Sequence, residues 1–299
     1  MSTREWFVAD VGGSHITCAV ASTTETPAGR TAKVLSRKSF GIDSHASAVE
    51  IMDAWAAACL EVSGNKSVGW TFAMPDPFDY ETGLALFENV GKFENLYGVN
   101  VRDGLAQRLK LEPAQIKFIH DATSYAVGEW AFGELAGSNR MMVITLGTGV
   151  GSGFLINGLP VKTGHSVPIN GTIHRDFIDG VPLEDVVSTR AIVARYELVS
   201  GDNASVEQIT GLARNQDATA IAVLAGAIEA LGKALGNRVL SFDADALVIG
   251  GSIAKSWDVL EGPFRAGLES SIGSRQIKLA PTTMFDDAPL LGAVYRAQH

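Results

Sequence analysis

The stretch Val8-Ala-Asp-Val-Gly-Gly-Ser-His-Ile-Thr-Cys-Ala-Val20 and the stretch Val143-Ile-Thr-Leu-Gly-Thr-Gly-Val-Gly-Ser-Gly-Phe-Leu155 share one pattern. Each is an apolar strand, a glycine turn with a hydroxyl residue, and a second strand. Glycine hairpins are common, so coincidence is one explanation. However, both stretches place their polar groups at the turn, and each begins one half of the chain. The pattern therefore favours two duplicated α/β lobes that face each other across a cleft.

Hydrophobic periodicity predicts the elements around these two stretches. Strands are predicted at residues 6–11, 16–21, 33–40, 68–73, 116–119, 141–146, 154–156 and 246–249, and helices at 46–62, 101–109, 122–135, 183–199, 206–214, 218–240 and 290–297. Residues 163–181 lack periodicity and are predicted to form a loop. We expect a small lobe of residues 1–118 that regains a C-terminal helix at 287–299, and a large lobe of residues 119–286.

Composition excludes several classes of protein. The 299 residues are 46% apolar and 19% charged, which is typical of a soluble globular chain. The net charge of −9 argues against nucleic-acid binding, which normally needs a basic face. The two cysteines cannot build a disulfide framework, and no segment resembles a signal peptide or approaches the about 18 apolar residues of a membrane helix. We expect a cytoplasmic protein without a membrane partner.

Three glycine turns follow apolar strands, and they are Gly12-Gly13-Ser14, Gly147-Thr148-Gly149 and Gly250-Gly251-Ser252. Glycines let backbone N–H groups approach a ligand closely, and concave arrays of N–H groups bind phosphate. The set favours a nucleotide, although any single turn is more often an ordinary hairpin. The spacing fits neither the Walker phosphate loop nor the dinucleotide fingerprint, and the serine-hydrolase motif is missing.

Two aspartates lie next to such features. Asp10 ends the first strand and could hold a magnesium ion on a triphosphate, or it could only stabilise the turn. Beside the glycine turns we favour the metal-linked role. Asp121 follows the strand at 116–119 and opens a helix, so it could be an ordinary N-cap or a general base at the carboxyl end of a strand. The residues alone do not separate these two roles of Asp121.

An ordered set of motifs resembles the ROK family of bacterial sugar kinases, which belongs to the actin/hexokinase/Hsp70 superfamily. The motifs are Asp10-Val-Gly-Gly-Ser-His15, residues 75–83, His120-Asp121-Ala122, Leu146-Gly-Thr-Gly-Val-Gly151, Leu183-Glu184 and Ile249-Gly-Gly-Ser252. The resemblance covers nearly the whole chain. It implies two ribonuclease-H-like lobes with an interlobe cleft, the actin-like ATPase fold. It also implies transfer of the γ-phosphoryl group of ATP, with Mg²⁺, to a hydroxyl of a hexose or hexose-like sugar.

The resemblance also assigns residues to roles. It makes Asp121 the catalytic base, which also contacts the sugar, and places Asp10 near magnesium. The residues that it implies for the nucleotide are Gly12, Gly13, Ser14 and His15 in the first phosphate motif, Gly147, Thr148 and Gly149 in the second, and Gly250 and Gly251 in the adenosine motif. The further residues that it implies for the sugar are Asn89, His120, His174 and Glu184.

The departures from the family pattern concern the sugar and zinc. His120 stands where the family usually has Asn, and the glutamate of the segment that ends at His174 is missing. Residues 175–182 replace the family's cysteine-rich zinc segment and contain no cysteine, so no zinc is expected. Because two sugar-contact positions differ, ordinary glucose is in doubt as the substrate.

Several alternatives stay open at this point. An amino sugar or a cyclitol could replace the hexose, and polyphosphate could replace ATP. A sugar-responsive regulator is disfavoured because the first strand starts at once, without an N-terminal helix-turn-helix. A catalytically silent sensor is disfavoured because Asp121 and both phosphate turns are present. Relatives are often dimers, which makes a homodimer a further expectation.

Overall fold

A computed structural model describes residues 3–26, 29–174, 176–178 and 180–299. The chain divides into two compact units, one of Met1–Phe132 with Asp286–His299 and one of Gly133–Phe285. Each unit has its own hydrophobic core. This number of units agrees with the two predicted lobes, whereas the boundary between them differs.

Both units contain strands and helices. The first unit contains β1 (Thr3–Val11), β2 (His15–Thr26), β3 (Gly29–Gly41), α1 (Ala48–Ser63), β4 (Trp70–Met74), β5 (Phe78–Asp79), β6 (Leu84–Ala85), α2 (Val101–Leu109), β7 (Ile116–His120) and α3 (Asp121–Phe132). The second unit contains β8 (Arg140–Leu146), β9 (Val150–Ile156), β10 (Leu159–Pro160), β11 (Phe177–Ile178), β12 (Val181–Pro182), α4 (Glu184–Val187), α5 (Thr189–Ser200), α6 (Val206–Arg214), α7 (Ala218–Phe242), β13 (Ala246–Gly250), α8 (Trp257–Ile272) and β14 (Lys278–Pro281). The chain then returns to the first unit as α9 (Ala288–Gln298).

The two main sheets have the same topology. The strand order is β3-β2-β1-β4-β7 in the first unit and β10-β9-β8-β13-β14 in the second. In both sheets the first three strands are antiparallel, and the last two run parallel to the third. The duplication that the two glycine hairpins predicted is therefore confirmed at the level of the sheets.

Burial explains the position of the parallel strands. Every residue of β4 and of β13 is buried, and neither strand alternates polar with apolar side chains. Such continuous apolar runs are typical of strands that are covered on both faces. Each of these strands lies between two parallel neighbours. In the first sheet this places the carboxyl ends of β1, β4 and β7 at one edge.

The boundary between the units lies after α3 rather than at the predicted residue 118. Helix α3 packs so closely on α9 that side chains hardly fit between their backbones. A Cβ atom on Gly128 would lie 2.1 Å from the carbonyl oxygen of Ala288, and one on Gly292 would lie 1.7 Å from that of Ser124. Sequence periodicity reports neither contact, because both join segments that are far apart in the chain.

Helix α8 and strands β10, β11, β12 and β14 were not predicted from the sequence, and α4 and α5 were predicted as one helix. Helix α8 packs on α7 through Gly232, where a Cβ would lie 2.2 Å from the carbonyl oxygen of Phe264. The predicted helix at 183–199 is broken at Ser188, whose side chain accepts the N–H of Ala191 and caps α5. The predicted loop at 163–181 contains the short β11, and its residues 175 and 179 lie outside the described residues.

Helix α7 is the one helix, within the described part of the chain, that is long and apolar enough to cross a membrane. Its bounds, Ala218–Phe242, agree with the helix predicted at 218–240. Core helices pass the same test of length and composition. One face of α7, including Ile228, Leu235 and Val239, is buried in the core of the second unit. We therefore describe it as a core helix.

Candidate active site

Asp121 is the first residue of α3, directly after β7. The only backbone N–H of the helix that donates to its Oδ1 is that of the next residue, Ala122, at 2.6 Å. The N–H of Thr123, three residues into the helix, instead donates to Nδ1 of His120 at 3.3 Å. That bond is the one an N-cap side chain makes. The N-cap role that the sequence left open for Asp121 therefore belongs to His120, and the carboxylate of Asp121 is free for another function.

The imidazole of His120 also orients Asp121. Because Nδ1 accepts the Thr123 N–H, the neutral ring carries its hydrogen on Nε2. Nε2 lies 3.2 Å from Asp121 Oδ1 and 3.1 Å from Asp76 Oδ2. Asp121 Oδ1 thus faces two donors, whereas Oδ2 has no hydrogen-bond partner among the described residues. Oδ2 is the oxygen that remains available to accept a proton.

Asp10 lies at the end of β1 and is partly buried. Burial raises the pKa of its carboxyl from 3.8 to about 7, and the nearby charges of Asp121 and Asp286 act in the same direction. Asp286 was not among the predicted site residues. It precedes α9, and only the return of that helix to the first unit brings it near Asp10. A carboxylate that is costly to ionise gains strongly from a nearby cation.

The carboxylates therefore suit a magnesium ion that is bound together with a phosphate. The described residues contain no group of three or more His, Cys, Asp or Glu side chains arranged as a metal site. Mg²⁺ commonly uses only one or two carboxylates, with water and substrate phosphates as its other ligands. The oxygen of Asp10 fits that arrangement, and magnesium at Asp10 remains a prediction.

The first glycine turn joins β1 to β2 and is closed by a hydrogen bond from the Gly12 N–H to the carbonyl oxygen of His15, at 2.9 Å. The His15 ring lies against Gly12 and is 3.2 Å from the hydroxyl of Ser14. A Cβ atom on Gly13 would lie 3.4 Å from Cδ of Lys92. The stem of a lysine therefore borders the predicted phosphate turn, a contact that no sequence motif indicated.

The loop that carries Lys92 is anchored on both sides. The next residue, Phe93, is fully buried, and its N–H donates to the carbonyl oxygen of Ser44 at 2.9 Å. On the other side, Glu94 Oε1 accepts the N–H of Gly91 at 3.0 Å. The ammonium of Lys92 makes no ion pair within the described part of the chain. The predicted sugar residue Asn89 lies in the same loop, is exposed, and has a φ of 56°.

In the second unit, the structure brings two predicted nucleotide motifs together. Gly251 has a φ of 81°, and a Cβ on it would lie 2.3 Å from the carbonyl oxygen of Leu146, the residue before the second phosphate turn. A Cβ on Gly147 would lie 3.3 Å from the hydroxyl of Ser252. The turn is held by the N–H of Thr189, which donates to the Gly147 carbonyl oxygen at 2.8 Å. Gly250 is the buried last residue of β13.

A cavity of about 480 Å³ opens beside this pair of turns. Its lining includes Thr189, Ser252 and Lys255, together with residues from the start and end of α6. This volume lies within the range of about 300–1,000 Å³ that is usual for small-molecule sites.

Glu184 and His174 were predicted to contact the sugar, and both lie in the second unit. Oε2 of Glu184 accepts the N–H of Val150 at 3.2 Å and lies 3.0 Å from where a Cβ of Gly149 would be. This places the carboxylate against the second phosphate turn, whose tip, Thr148, is exposed. His174 is partly buried, and its ring makes no hydrogen bond to the described residues. Their sugar contacts remain predictions.

The sequence profile of the ROK family matches residues 90–299. The chain belongs to the ROK family. A glucokinase of Thermotoga maritima is 27% identical to this ROK protein over 267 residues, which are 80% of this chain and 82% of the relative. A glucokinase of Pyrobaculum calidifontis is 25% identical over 273 residues, 87% of this chain and 86% of the relative.

A solved structure supports the fold of this ROK protein. The ROK family glucokinase of Streptomyces griseus, in complex with glucose and AMPPNP, has a TM-score of 0.74 and 21% identity, and the alignment covers 99% of both chains. The predicted fold class, the duplicated actin-like ATPase fold, is therefore confirmed. The positions that depart from the family pattern, above all His120, lie inside this shared fold.

Proposed function

We propose that this ROK protein transfers the γ-phosphoryl group of ATP to a hydroxyl group of a hexose or hexose-like sugar, with Asp121 as the general base. The observation that carries the proposal is the environment of Asp121. Its Oδ1 is engaged by Ala122 and His120, whereas its Oδ2 is free, and His120 caps the helix in its place. The glucokinase relatives support the same reaction.

The base acts by orientation and proton acceptance. A sugar hydroxyl is a weak nucleophile at neutral pH, and its proton must leave as the oxygen–phosphorus bond forms. A carboxylate within hydrogen-bond reach both aims the hydroxyl and accepts that proton. In our proposal Asp121 Oδ2 takes the proton, while the two donors at Oδ1 hold the carboxylate plane still.

The glycine turns position the phosphates. Phosphoryl transfer asks little covalent chemistry of the protein, because placement and charge stabilisation dominate. The N–H groups of Gly12 and Gly147 close their own turns, so the N–H groups of Gly13 and Ser14 and of Thr148 and Gly149 would hold phosphate oxygens. The Lys92 ammonium would add a positive charge at the first turn. Asp10 would hold Mg²⁺, which neutralises phosphate charge when it is bound.

The cavity of about 480 Å³ in the second unit would take the nucleoside. Ser252 lines it directly after the Gly250-Gly251 turn, and Thr189 links it to the second phosphate turn. This arrangement supports the adenosine role predicted for the third glycine motif. Cytoplasmic location and a homodimer are further parts of the proposal. The location rests on the composition of the chain, and the homodimer rests on the family resemblance.

An amino sugar is the second candidate substrate. One observation favours it, because the carboxylates of Asp76 and Asp121 both lie within 3.2 Å of a single imidazole nitrogen at a predicted sugar-contact position. Such a negative environment would stabilise a protonated amino group on the substrate.

A coupled ADP-release assay over a panel of sugars tests the proposal. The panel should contain glucose, mannose, glucosamine, N-acetylmannosamine and inositol, with ATP and with polyphosphate as donors. We expect ATP-dependent phosphorylation of at least one hexose or amino sugar and loss of that activity in Asp121→Asn. If no panel member is phosphorylated while the folded protein binds ATP, the enzymatic proposal is wrong and a sugar sensor becomes the better description.

A further inference from the structure

A series of close polar contacts leads away from the predicted base into the loop after β4. Nε2 of His120 lies 3.2 Å from Asp121 Oδ1 and 3.1 Å from Asp76 Oδ2. The other oxygen of Asp76 accepts a hydrogen bond from the Tyr80 hydroxyl at 2.7 Å. That hydroxyl is also 3.2 Å from the carbonyl oxygen of Met74, the last residue of β4. These contacts thus link Asp121 to the carboxyl end of β4, the neighbour of β7 in the sheet.

The imidazole is held along both edges. At Nδ1 it accepts the N–H of Thr123, and the Thr123 hydroxyl lies 3.1 Å away. At Nε2 the ring lies against two carboxylate oxygens, one of which belongs to the base. Only 14% of the His120 side chain is exposed, compared with 54% for Asp76 and 41% for Asp121. Because the ring is the buried member, its plane decides where the Nε2–H bond points.

Tyr80 supports this arrangement from a second direction. Its ring meets the His120 ring edge-on, with centroids 6.0 Å apart and an interplanar angle of 74°. Burial and the Asp76 charge raise the pKa of the Tyr80 hydroxyl far above its ordinary range, so it stays a donor to Asp76 at all working pH values. Asp76 is therefore itself fixed, and its Oδ2 has a defined position relative to the ring.

We propose that Asp76 is a positioning residue for Asp121 and acts through His120. With Asp76 in place, the ring plane is fixed at Nδ1 and at Nε2, and Asp121 Oδ1 receives the shared hydrogen in one geometry. Without Asp76, the Nε2 edge keeps only the Asp121 contact, so the ring and the carboxylate can move together. The expected change in kcat rests on the proposed function. The coupling between Asp76 and His120 does not depend on that function.

A double-mutant cycle in the full-length protein tests the proposal. We expect Asp76→Ala to lower kcat about 10-fold with sugar and ATP KM values changed less than about twofold, because small displacements of a catalytic group cost up to about 10²-fold in rate. Asp76→Asn keeps an acceptor oxygen and should recover most of the loss. Tyr80→Phe, which frees Asp76 Oδ1, should cause a smaller loss.

The decisive arm uses His120→Asn as the background. The kcat of His120→Asn itself is the reference for this arm. Adding Asp76→Ala to His120→Asn should change kcat by less than about twofold, because without the imidazole Asp76 no longer contacts a group that touches Asp121. Equal losses in both backgrounds would overturn the proposal. A raised sugar KM with unchanged kcat in Asp76→Ala would also overturn it, because Asp76 would then contact the sugar directly.

Urea unfolding of the wild type, Asp76→Ala, His120→Asn and the double variant gives a readout that is independent of activity. If Asp76 and His120 are coupled, their effects on the free energy of unfolding are not additive, because each single variant removes the same contact between the two side chains. Additive effects would contradict the proposal. If the wild-type protein phosphorylates no sugar, the proposed function fails, while the unfolding cycle still decides whether Asp76 holds the ring.

Discussion

The side chain of Lys92 lies across Gly13, so that a Cβ atom on the glycine would be 3.4 Å from Lys92 Cδ. The two residues are almost eighty positions apart in the chain, and the buried neighbour Phe93 anchors the loop that joins them in space. The stem of a lysine therefore borders the predicted phosphate turn. In a chain with a net charge of −9, a lysine at this position would offset part of the repulsion between the protein and an anionic ligand.

We expect Lys92→Met to lower kcat/KM for ATP by about 10- to 100-fold, because a hydrogen bond to a charged group contributes about 1.5–3 kcal/mol and each 1.4 kcal/mol is about tenfold. Methionine keeps the apolar stem, so the melting temperature should hardly change. Lys66→Met, at an exposed site of the same unit, is the matched control and should behave like the wild type. Equal kinetics for both variants would remove Lys92 from the phosphate site.

Two glycine-to-alanine variants should fail in different ways. At Gly251, with a φ of 81° and the Leu146 carbonyl oxygen 2.3 Å from a Cβ, alanine adds backbone strain and a clash. Each of these effects costs about 1–3 kcal/mol, so the melting temperature should fall by roughly 5 °C or more. Calorimetry and circular dichroism measure this change.

Alanine at Gly13 meets only the flexible Lys92 stem, at 3.4 Å. The melting temperature should therefore stay within about 2 °C of the wild-type value, while the KM for ATP rises about tenfold through loss of close phosphate approach. A Gly13→Ala protein with normal ATP kinetics would show that no phosphate binds at this turn.

Asp121→Asn should lower kcat by about 10²-fold or more, the usual scale for loss of a general base. The asparagine can still accept the Ala122 N–H, and His120 still caps α3, so the thermal stability and the ATP affinity should be kept. Steady-state kinetics, melting curves and ATP titration measure the three quantities. A variant that melts lower but turns over sugar at nearly the wild-type rate would make Asp121 a structural residue.

Asp10 should make the stability of the ligand-free protein depend on pH. Its pKa is raised from 3.8 to about 7, so the folded state binds a proton that the unfolded state releases. The contribution of this group to stability is therefore greatest below about pH 4, falls as the pH rises towards 7, and is constant above that. Asp10→Asn removes the ionisation, and we expect it to melt higher than the wild type at pH 8, by at least about 2 °C.

The comparison is made without magnesium or nucleotide, and at pH 4 the two proteins should melt at similar temperatures. A difference in melting temperature that is the same at pH 4 and pH 8 would mean that ionisation of Asp10 is not its cause.

Activity should need magnesium and no structural zinc. The chain has only two cysteines, both buried in the first unit, whereas structural zinc sites usually need four ligands. Protein purified without added metal should contain far less than one zinc per chain and should regain activity with Mg²⁺ alone. Stoichiometric zinc in metal analysis would contradict this expectation.

Local sequence determined much of the fold and the chemical content of the site. The two glycine hairpins predict the duplicated sheets, because a strand–turn–strand pattern is local in the sequence. The apolar runs of β4 and β13 were also visible in the sequence, and they reflect burial of these strands on both faces. The positions of the glycine turns could also be predicted, and phosphate binding at them stays a prediction. The position of Asp121 at the end of β7 was equally visible, although its role was not.

Only the tertiary structure decided the contacts between distant segments. The unit boundary depends on the close packing of Gly128 and Gly292 between α3 and α9, and Lys92 reaches Gly13 because a buried phenylalanine anchors its loop. The assignment of the helix cap to His120 and not to Asp121 depends on which side-chain atom meets the Thr123 N–H. Sequence periodicity reports which face of an element is apolar, whereas these contacts depend on atomic distances between elements, which no local pattern contains.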